Sequence, residues 1–428
     1  MKPLQRTDGS PGVAARTALE RCDELATISA LPDGFIERTY LTVEHKAANA
    51  TVAEWMAEAG LATWQDAAGN VCGRLEGARS GSPALLLGSH LDTVPRAGRY
   101  DGVLGVMIAI EVAARLRHAE RALPFALEVI GFGDEEGTRF GATLLGSRAL
   151  AGTWDGQWWD RTDVDGASLR DAFAAFGLDP DGIGRAARRP EDVVGYLEAH
   201  IEQGPILEQR GRALGLVESI AGARRLQVTI TGRAAHAGTP YAMRRDALAG
   251  ASEAIVAVEA LSEGLGLIAT VGRVGVLPGA VNVVPGAATF SLDVRAVSDD
   301  VRDDGLDVVL AEVGKLCERR GLSMSVEETH SAETVRCDDT MKRALSQAVT
   351  ATGDDDPLRL FSPAGHDAMA IAALTRVGML FVRCAGGVSH HPDESVLEED
   401  VERAIEAMYT AVLCLAESWR DPGDHRTA

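Results

Sequence analysis

Two apolar runs in this chain do not alternate. Leu85, Leu86 and Leu87 stand together in ALLLGSH (84–90), and FALEVIGF (125–132) carries one glutamate among apolar residues and a glycine. A strand with one face in water alternates polar and apolar residues, whereas a strand covered on both faces does not. Helical patterns flank these runs. TVAEWMAEAGL (51–61) is amphipathic with a glycine stop, and GVMIAIEVAARLRHA (105–119) follows the first strand. This order predicts an α/β domain whose sheet is covered by helices on both sides. Functional groups in such sheets gather where strands end. Both runs end in charge, the first at His90 and Asp92, the second in GDEEG (133–137).

The pattern changes after about residue 213. RRLQVTITG (224–232) alternates as a half-buried strand, and RRDALAGASEAIVAVEALSE (244–263) reads as a helix. LIATVGRVGV (267–276) and ATFSLDVRA (288–296) read as strands, DGLDVVLAEVGKLCERRG (304–321) as a helix and LSMSVEET (322–329) as a strand. The sequence β-α-β-β-α-β is the ferredoxin-like order of elements. Helical patterns then resume at 338–353 and 398–419, around short apolar segments. The expected organisation is a mobile tail at 1–15, a discontinuous domain of residues 16–213 and 331–428, and an inserted domain at 214–330. The final DPGDHRTA (421–428) is expected to be a frayed tail.

Composition narrows the function classes. The 428 residues are 46% hydrophobic and 25% charged, enough apolar matter for two cores. A net charge of -21 argues against a nucleic-acid backbone or an anionic membrane as partner. No apolar run is long enough to span a bilayer, and the acidic start does not read as a signal peptide. Six single cysteines without CxxC spacing suggest reduced thiols and a cytoplasmic setting, with no thiolate zinc site.

Four separated regions bring hard or borderline metal ligands: His90 and Asp101, then Glu135 and Glu136, then His200 in EAHIEQG, then His390 and His391 in GVSHHPDE. Imidazole with carboxylate and no thiolate is the ligand set of hydrolytic zinc, manganese or cobalt sites. A carboxylate shared by two ions would permit a two-metal site. Taken singly, each histidine reads as a surface or hydrogen-bonded residue and DEEG as a solvated turn. Their recurrence at strand ends carries the signal.

GSHLDTVPRAGRYDGVLGV (88–106), GFGDEEGTRFG (131–141), LEAHIEQGPILE (197–208), RAAHAGT (233–239), RRDA (244–247), GAVNVVPG (279–286), FSLDVR (290–295), AGHDA (364–368) and GVSHHPDE (387–394) together resemble the dinuclear-metal amidohydrolases of the M20 peptidase superfamily. HIEQGP points to its N-carbamoyl-L-amino acid hydrolase, β-ureidopropionase and allantoate amidohydrolase branch. The resemblance implies a zinc-peptidase-like catalytic domain with an inserted ferredoxin-like lid and dimerisation domain. It implies two divalent metal ions, zinc first, with manganese, cobalt or nickel as alternatives. Asp101 would bridge the ions, His90 and His200 would complete one set of ligands, and Glu136 and His390 the other. His391 competes with His390, and the family pattern favours His390. Glu135 would be the general base, with Asp92 holding the His90 imidazole.

In the inserted domain, His236 would stabilise the oxyanion across a homodimer interface, and Asn282 and Arg295 would hold the substrate carboxylate. Gln203 and His366 would line the site. The implied activity is cleavage of the carbamoyl (ureido) group of a small carboxylate, with release of ammonia and carbon dioxide. A dipeptidase or N-acyl amino acid deacylase is the enzymatic alternative, and a catalytically silent ligand-binding dimer the other. One departure stands out: the segment PYAM (240–243) between HAGT and RRDA is about one residue shorter than the family pattern, so the loop holding His236 is expected to be set differently.

Overall fold

The computed structural model describes residues 12–32 and 34–420. They divide into two compact units: the described residues up to Glu218 with Cys337–Leu360 and those from His366 onwards, and Ser219–Arg336 with Phe361–Gly365. The division falls a few residues from the expected 214 and 330, and the second unit also takes in the short segment 361–365.

In the first unit the strand Ala84–His90 is buried at all seven positions. It lies between two parallel neighbours, Ala126–Phe132 and Val193–Ile201, and Val377–Val382 continues the parallel run beyond the latter. Val71–Leu75 and then Ala62–Gln65 extend the other side in antiparallel sense. Leu85, Leu86 and Leu87 are each fully buried, and each such side chain stabilises the fold by roughly 1.5–3 kcal/mol. The helix Val103–His118 packs on these strands and is buried nearly all round. Gly105 explains how close it comes: a Cβ there would lie 2.1 Å from the Ala199 carbonyl oxygen of the neighbouring strand.

The opening segment corrects one expectation. A tail was expected through Ala15, but the helix Val13–Ala26 begins two residues earlier and buries Ala14, Ala15, Ala18 and Cys22. Its Arg21 donates to Glu111 at 2.7 Å inside the protein, so the helix also neutralises a carboxylate buried in the middle of Val103–His118. Residues 1–11 and the expected tail 421–428 lie outside the described residues.

The second unit is an antiparallel sheet in the order Val274–Leu277, Ala287–Arg295, Ala223–Thr231, Ser323–Ser331. The helices Ala247–Ser262 and Asp299–Arg319 pack together and against its strands. Alternation along Ala223–Thr231 sends Leu226, Val228 and Ile230 into their shared core. Asp246 of RRDA caps the first helix by accepting from Ala249 N, and Ser298 caps the second by accepting from Val301 N. The segment LIATVGRVGV, expected as one strand, forms two, Ile268–Thr270 and Val274–Leu277. Thr270 pairs with Asp293 and Val274 with Phe290, so three residues face two and the strand breaks at a bulge. Ser291 Oγ closes it by accepting from Arg273 N at 3.0 Å.

All six cysteines are free thiols. Among the described residues, no helix is long and apolar enough to cross a membrane.

Candidate metal centre

His90 is the last residue of its strand, and the chain returns to it eleven residues later at Asp101, just before the helix Val103–His118. Gly102 makes the return possible. Its φ is +66°, and a Cβ there would lie 2.4 Å from the His90 ring. His200, on Val193–Ile201, sits where that strand runs beside Val377–Val382, and Glu135 and Glu136 follow Ala126–Phe132. The charged groups therefore meet at the ends of adjacent parallel strands.

Asp101 stands at the junction of two groups. Its Oδ1 is 3.2 Å from His200 Nε2 and 4.0 Å from His90 Nε2. Its Oδ2 is 3.0 Å from His390 Nε2, which is 3.3 Å from Glu136 Oε1. Ligand atoms of His90, Asp101 and His200 lie within 4.8 Å of one another, as do those of Asp101, Glu136 and His390.

The hydrogen bonds behind the imidazoles decide what these groups fit. His90 Nδ1 lies 3.0 Å from the Asp92 carbonyl oxygen, and His200 Nδ1 2.9 Å from that of Ile201. A carbonyl accepts only, so each Nδ1 donates. In the neutral rings both Nε2 atoms then present lone pairs, 3.4 Å apart and turned towards a carboxylate. Such an arrangement is repulsive unless a proton or a metal cation lies among the donors; against burial, Asp92, Glu135 and Asp101 hold His90 well above its ordinary value, which shows how strongly this place favours positive charge. This donor set fits a pair of divalent cations sharing Asp101.

The charge balance agrees. Burial would raise the Asp101 pKa, but the His390, His200 and His90 imidazoles hold it below the usual carboxylate range. Burial pushes Glu136 up to about 7 and lifts Glu135 well above its ordinary value, with Glu136, Asp367 and Asp92 adding to the rise. His200 is pulled down to about 4 by burial. His390 is raised to about 9, chiefly by its contact with Asp101. Carboxylates so crowded are held ionised by bound cations.

Asp92 is fully buried. Its Oδ1 accepts from Glu135 N at 2.9 Å and its Oδ2 from Glu136 N at 3.2 Å. One carboxylate thus fixes the turn bearing both glutamates and stands 3.5 Å from His90 Nδ1. Gln203 has φ +55° and points its Nε2 at Asp101, 3.1 and 3.2 Å from the two oxygens, while its Oε1 is buried without a hydrogen-bond partner. His366 is buried against His200, ring centroids 4.5 Å apart. Of the competing pair, His390 faces the acids, whereas His391 turns to Asp393 at 3.5 Å and is 60% exposed. Sequence reasoning missed Glu394 and Ser389. Glu394 is 4% exposed and accepts from Tyr100 N and Asp101 N. The only available signal was an acid four residues beyond His390 in SHHPDE.

The remaining candidates belong to the second unit. His236 is exposed on a two-stranded ribbon, opposite Val283, and its Nδ1 accepts from Gly238 N at 3.0 Å. Asn282 is exposed in the turn that leads into the same ribbon, its carbonyl accepting from Ala237 N at 2.9 Å. The shortened loop is a single 3-10 turn, Tyr241–Met243. Arg244 secures it by donating to the carbonyls of Thr239 and Ala237 at 2.8 and 2.6 Å. Arg295 is already engaged: it donates to both Asp293 oxygens, at 2.8 and 3.3 Å, and to the Pro363 carbonyl at 2.7 Å.

The profile described as Peptidase family M20/M25/M40 matches residues 86–413, and the chain belongs to that family. Within it, the chain is 40% identical over 430 positions to "Allantoate deiminase 2" of Glycine max, covering 93% of this chain and 89% of that protein. It is 38% identical over 400 positions to "N-carbamoyl-L-amino acid amidohydrolase" of Geobacillus stearothermophilus, covering 93% and 98%. A crystal structure of a hydantoinase/carbamoylase family amidase from Burkholderia ambifaria superposes with a TM-score of 0.85 at 31% identity, covering 94% of this chain and 97% of that one.

Proposed function

We propose that this protein is a metal-dependent amidohydrolase that cleaves the ureido group of a small carboxylate, such as allantoate or an N-carbamoyl amino acid, releasing ammonia and carbon dioxide. The observation that carries the reading is the pair of imidazole and carboxylate groups sharing Asp101, with the Glu135 carboxyl beside them. The relatives named for ureido substrates, matched over about nine-tenths of the chain, supply the substrate class.

His90, Asp101 and His200 would hold one divalent ion, and Asp101, Glu136 and His390 the other. When bound, such a pair polarises the scissile carbonyl and makes water acidic enough to attack near neutral pH. Glu135 takes the proton from the attacking water and returns it to the departing nitrogen, a task for a carboxyl group whose pKa burial has raised. Asp92 orients His90 and the turn carrying Glu135. Gln203 offers its unpartnered Oε1 as acceptor for a ureido N–H, and His366 lines the site.

In the second unit, His236 stabilises the tetrahedral oxyanion in a partner subunit's site, which makes the working form a homodimer. Asn282 and Arg295 hold the substrate carboxylate, and for Arg295 this requires the guanidinium to share itself between Asp293 and the ligand. The second unit thus serves as lid and dimerisation domain. Six unpaired thiols suit a reducing cytoplasm. The deciding experiment measures ammonia release from allantoate, N-carbamoyl-β-alanine and N-carbamoyl-L-α-amino acids, after chelation and reloading with zinc, manganese, cobalt or nickel. Absence of ammonia from every ureido acid in every reloaded form, with cleavage of dipeptides or N-acyl amino acids instead, would overturn the proposal.

A further inference from the structure

Glu394 lies outside every candidate ligand group and is buried at 4% exposure beneath the loop that carries Asp101. Its Oε1 accepts from Tyr100 N at 2.7 Å and from Asp101 N at 3.1 Å, across 293 residues of sequence. Its Oε2 accepts from Ser389 Oγ at 3.0 Å, and Ser389 immediately precedes His390. The 98–101 turn is shaped around this carboxylate: a Cβ on Gly98 would fall 2.3 Å from the Glu394 carboxyl carbon and oxygen. Ser389 Oγ also lies 3.3 Å from Gln203 Nε2, so the amide that faces Asp101 reaches the same carboxylate through one hydroxyl.

These contacts join two loops that come from opposite ends of the chain. Asp101 and His390 face each other at 3.0 Å, and His390 backbone has φ +55°, a conformation that costs a non-glycine residue energy unless its surroundings enforce it. Neither loop has a strand or helix at these residues to hold it. The carboxylate supplies the tie, with one oxygen on the backbone beside Asp101 and the other on the side chain beside His390.

We infer that Glu394 is a positioning residue for the Asp101, Glu136 and His390 group, setting the Asp101 to His390 separation and hence the affinity of that group for its cation, while the His90 and His200 group depends on it far less. The inference rests on the two-metal reading above. His90 and His200 sit on strands of the sheet, anchored by their own carbonyl contacts, and need no such tie.

Zinc titration by calorimetry of chelated, full-length protein tests this directly. The unsubstituted protein should take up two ions. Glu394→Ala should bind one ion within threefold of the unsubstituted affinity and the other at least tenfold more weakly, and Glu394→Gln, which keeps an acceptor for the two backbone N–H groups, should recover most of the loss. A Glu394→Ala protein that binds both ions with unchanged affinity overturns the inference, as does equal weakening of both. If Glu394→Ala does not fold, Ser389→Ala decides: it removes the tie between the loops, together with the hydroxyl's contacts to Gln203 Nε2 and Asp101 Oδ2 at 3.3 and 3.4 Å, and leaves Glu394 on the two backbone N–H groups. Selective weakening of one ion at an unchanged melting temperature supports the role, and unchanged binding overturns it. Failure of the two-metal reading looks different: the unsubstituted protein itself would then bind fewer than two ions.

Discussion

Apart from the half-exposed His390, the candidate residues of the two units are held in opposite ways. In the first unit His90, Asp92, Asp101 and His200 are almost wholly buried, and each is fixed from behind by a backbone contact or a neighbouring side chain. In the second, His236 stands exposed on a two-stranded ribbon and Asn282 in the turn leading into it, and Arg295 is half-buried and committed to Asp293. A cluster of buried donors is preorganised for a fixed ligand such as a metal ion. Exposed groups on a ribbon are suited to a ligand that comes and goes. On the proposed reading, the difference implies that metal binding and substrate binding should be separable by mutation.

The largest effect should follow from Asp101, the one side chain common to both donor groups. Asp101→Ala is expected to take zinc stoichiometry from two ions to one or none and to abolish ammonia release. Elemental analysis of the purified variant reads the first and an ammonia assay the second. Retention of two tight ions would break the claim that Asp101 joins the groups. Glu135→Gln comes next. It should keep both ions yet lose about 10²- to 10⁴-fold in kcat, the usual worth of a positioned acid–base group. Full turnover in that variant would remove Glu135 from the mechanism.

Second-unit substitutions should leave the metals untouched. His236→Ala is expected to cost about 10²- to 10³-fold in kcat, as for loss of one oxyanion donor, with zinc content and melting temperature unchanged because the ring is exposed. Arg295→Ala should act mainly on KM, raising it roughly 10- to 100-fold, equivalent to the ~1.5–3 kcal/mol of a charge-assisted hydrogen bond. A change in metal affinity in either variant would blur the division between the units.

The parts legible in the sequence were those with a periodic or local signature. Ala84–His90 and Ala126–Phe132 declared themselves by apolar runs that do not alternate, and the second unit by its order of elements. The bulge at 271–273 was hidden because one extra residue in a β-rich segment leaves propensity unchanged. The helix starting at Val13 was missed because a proline- and glycine-bearing lead masks an amphipathic pattern that begins with alanines. At the site, residues at strand ends were visible by chemistry and place. Glu394 was not, because its partners are backbone N–H groups of a distant loop, and such a bond leaves no mark in composition or spacing.

Acid should also separate the units, by a smaller margin. His45, on the helix Val43–Glu58 of the first unit, is fully buried and accepts from Leu41 N at 3.0 Å through Nδ1, so the fold holds it neutral. Burial lowers its pKa to about 4, against the opposing pull of Asp92, with Arg38 adding to the fall. A histidine depressed in the fold contributes stability that is complete above its unfolded pKa of about 6.5 and is lost as pH falls towards the folded value. Between pH 6.5 and 4 the unfolded chain takes up a proton that the folded chain refuses, and the first unit should lose up to about 3 kcal/mol from this group alone. The second unit's core is a cluster of apolar side chains with no histidine in it. Burial raises the Asp66 and Glu111 carboxyls to about 6 and 7, so they take up protons in the fold and act in the opposite sense, and the histidine is read by difference. Urea unfolding of the chelated protein and of His45→Gln across that pH range, followed by hydrogen exchange, should show the variant's Val43–Glu58 amides keeping more of their protection as pH falls, with no difference at Ala247–Ser262. An identical pH slope in the two proteins would show that the fold does not hold His45 neutral across this range.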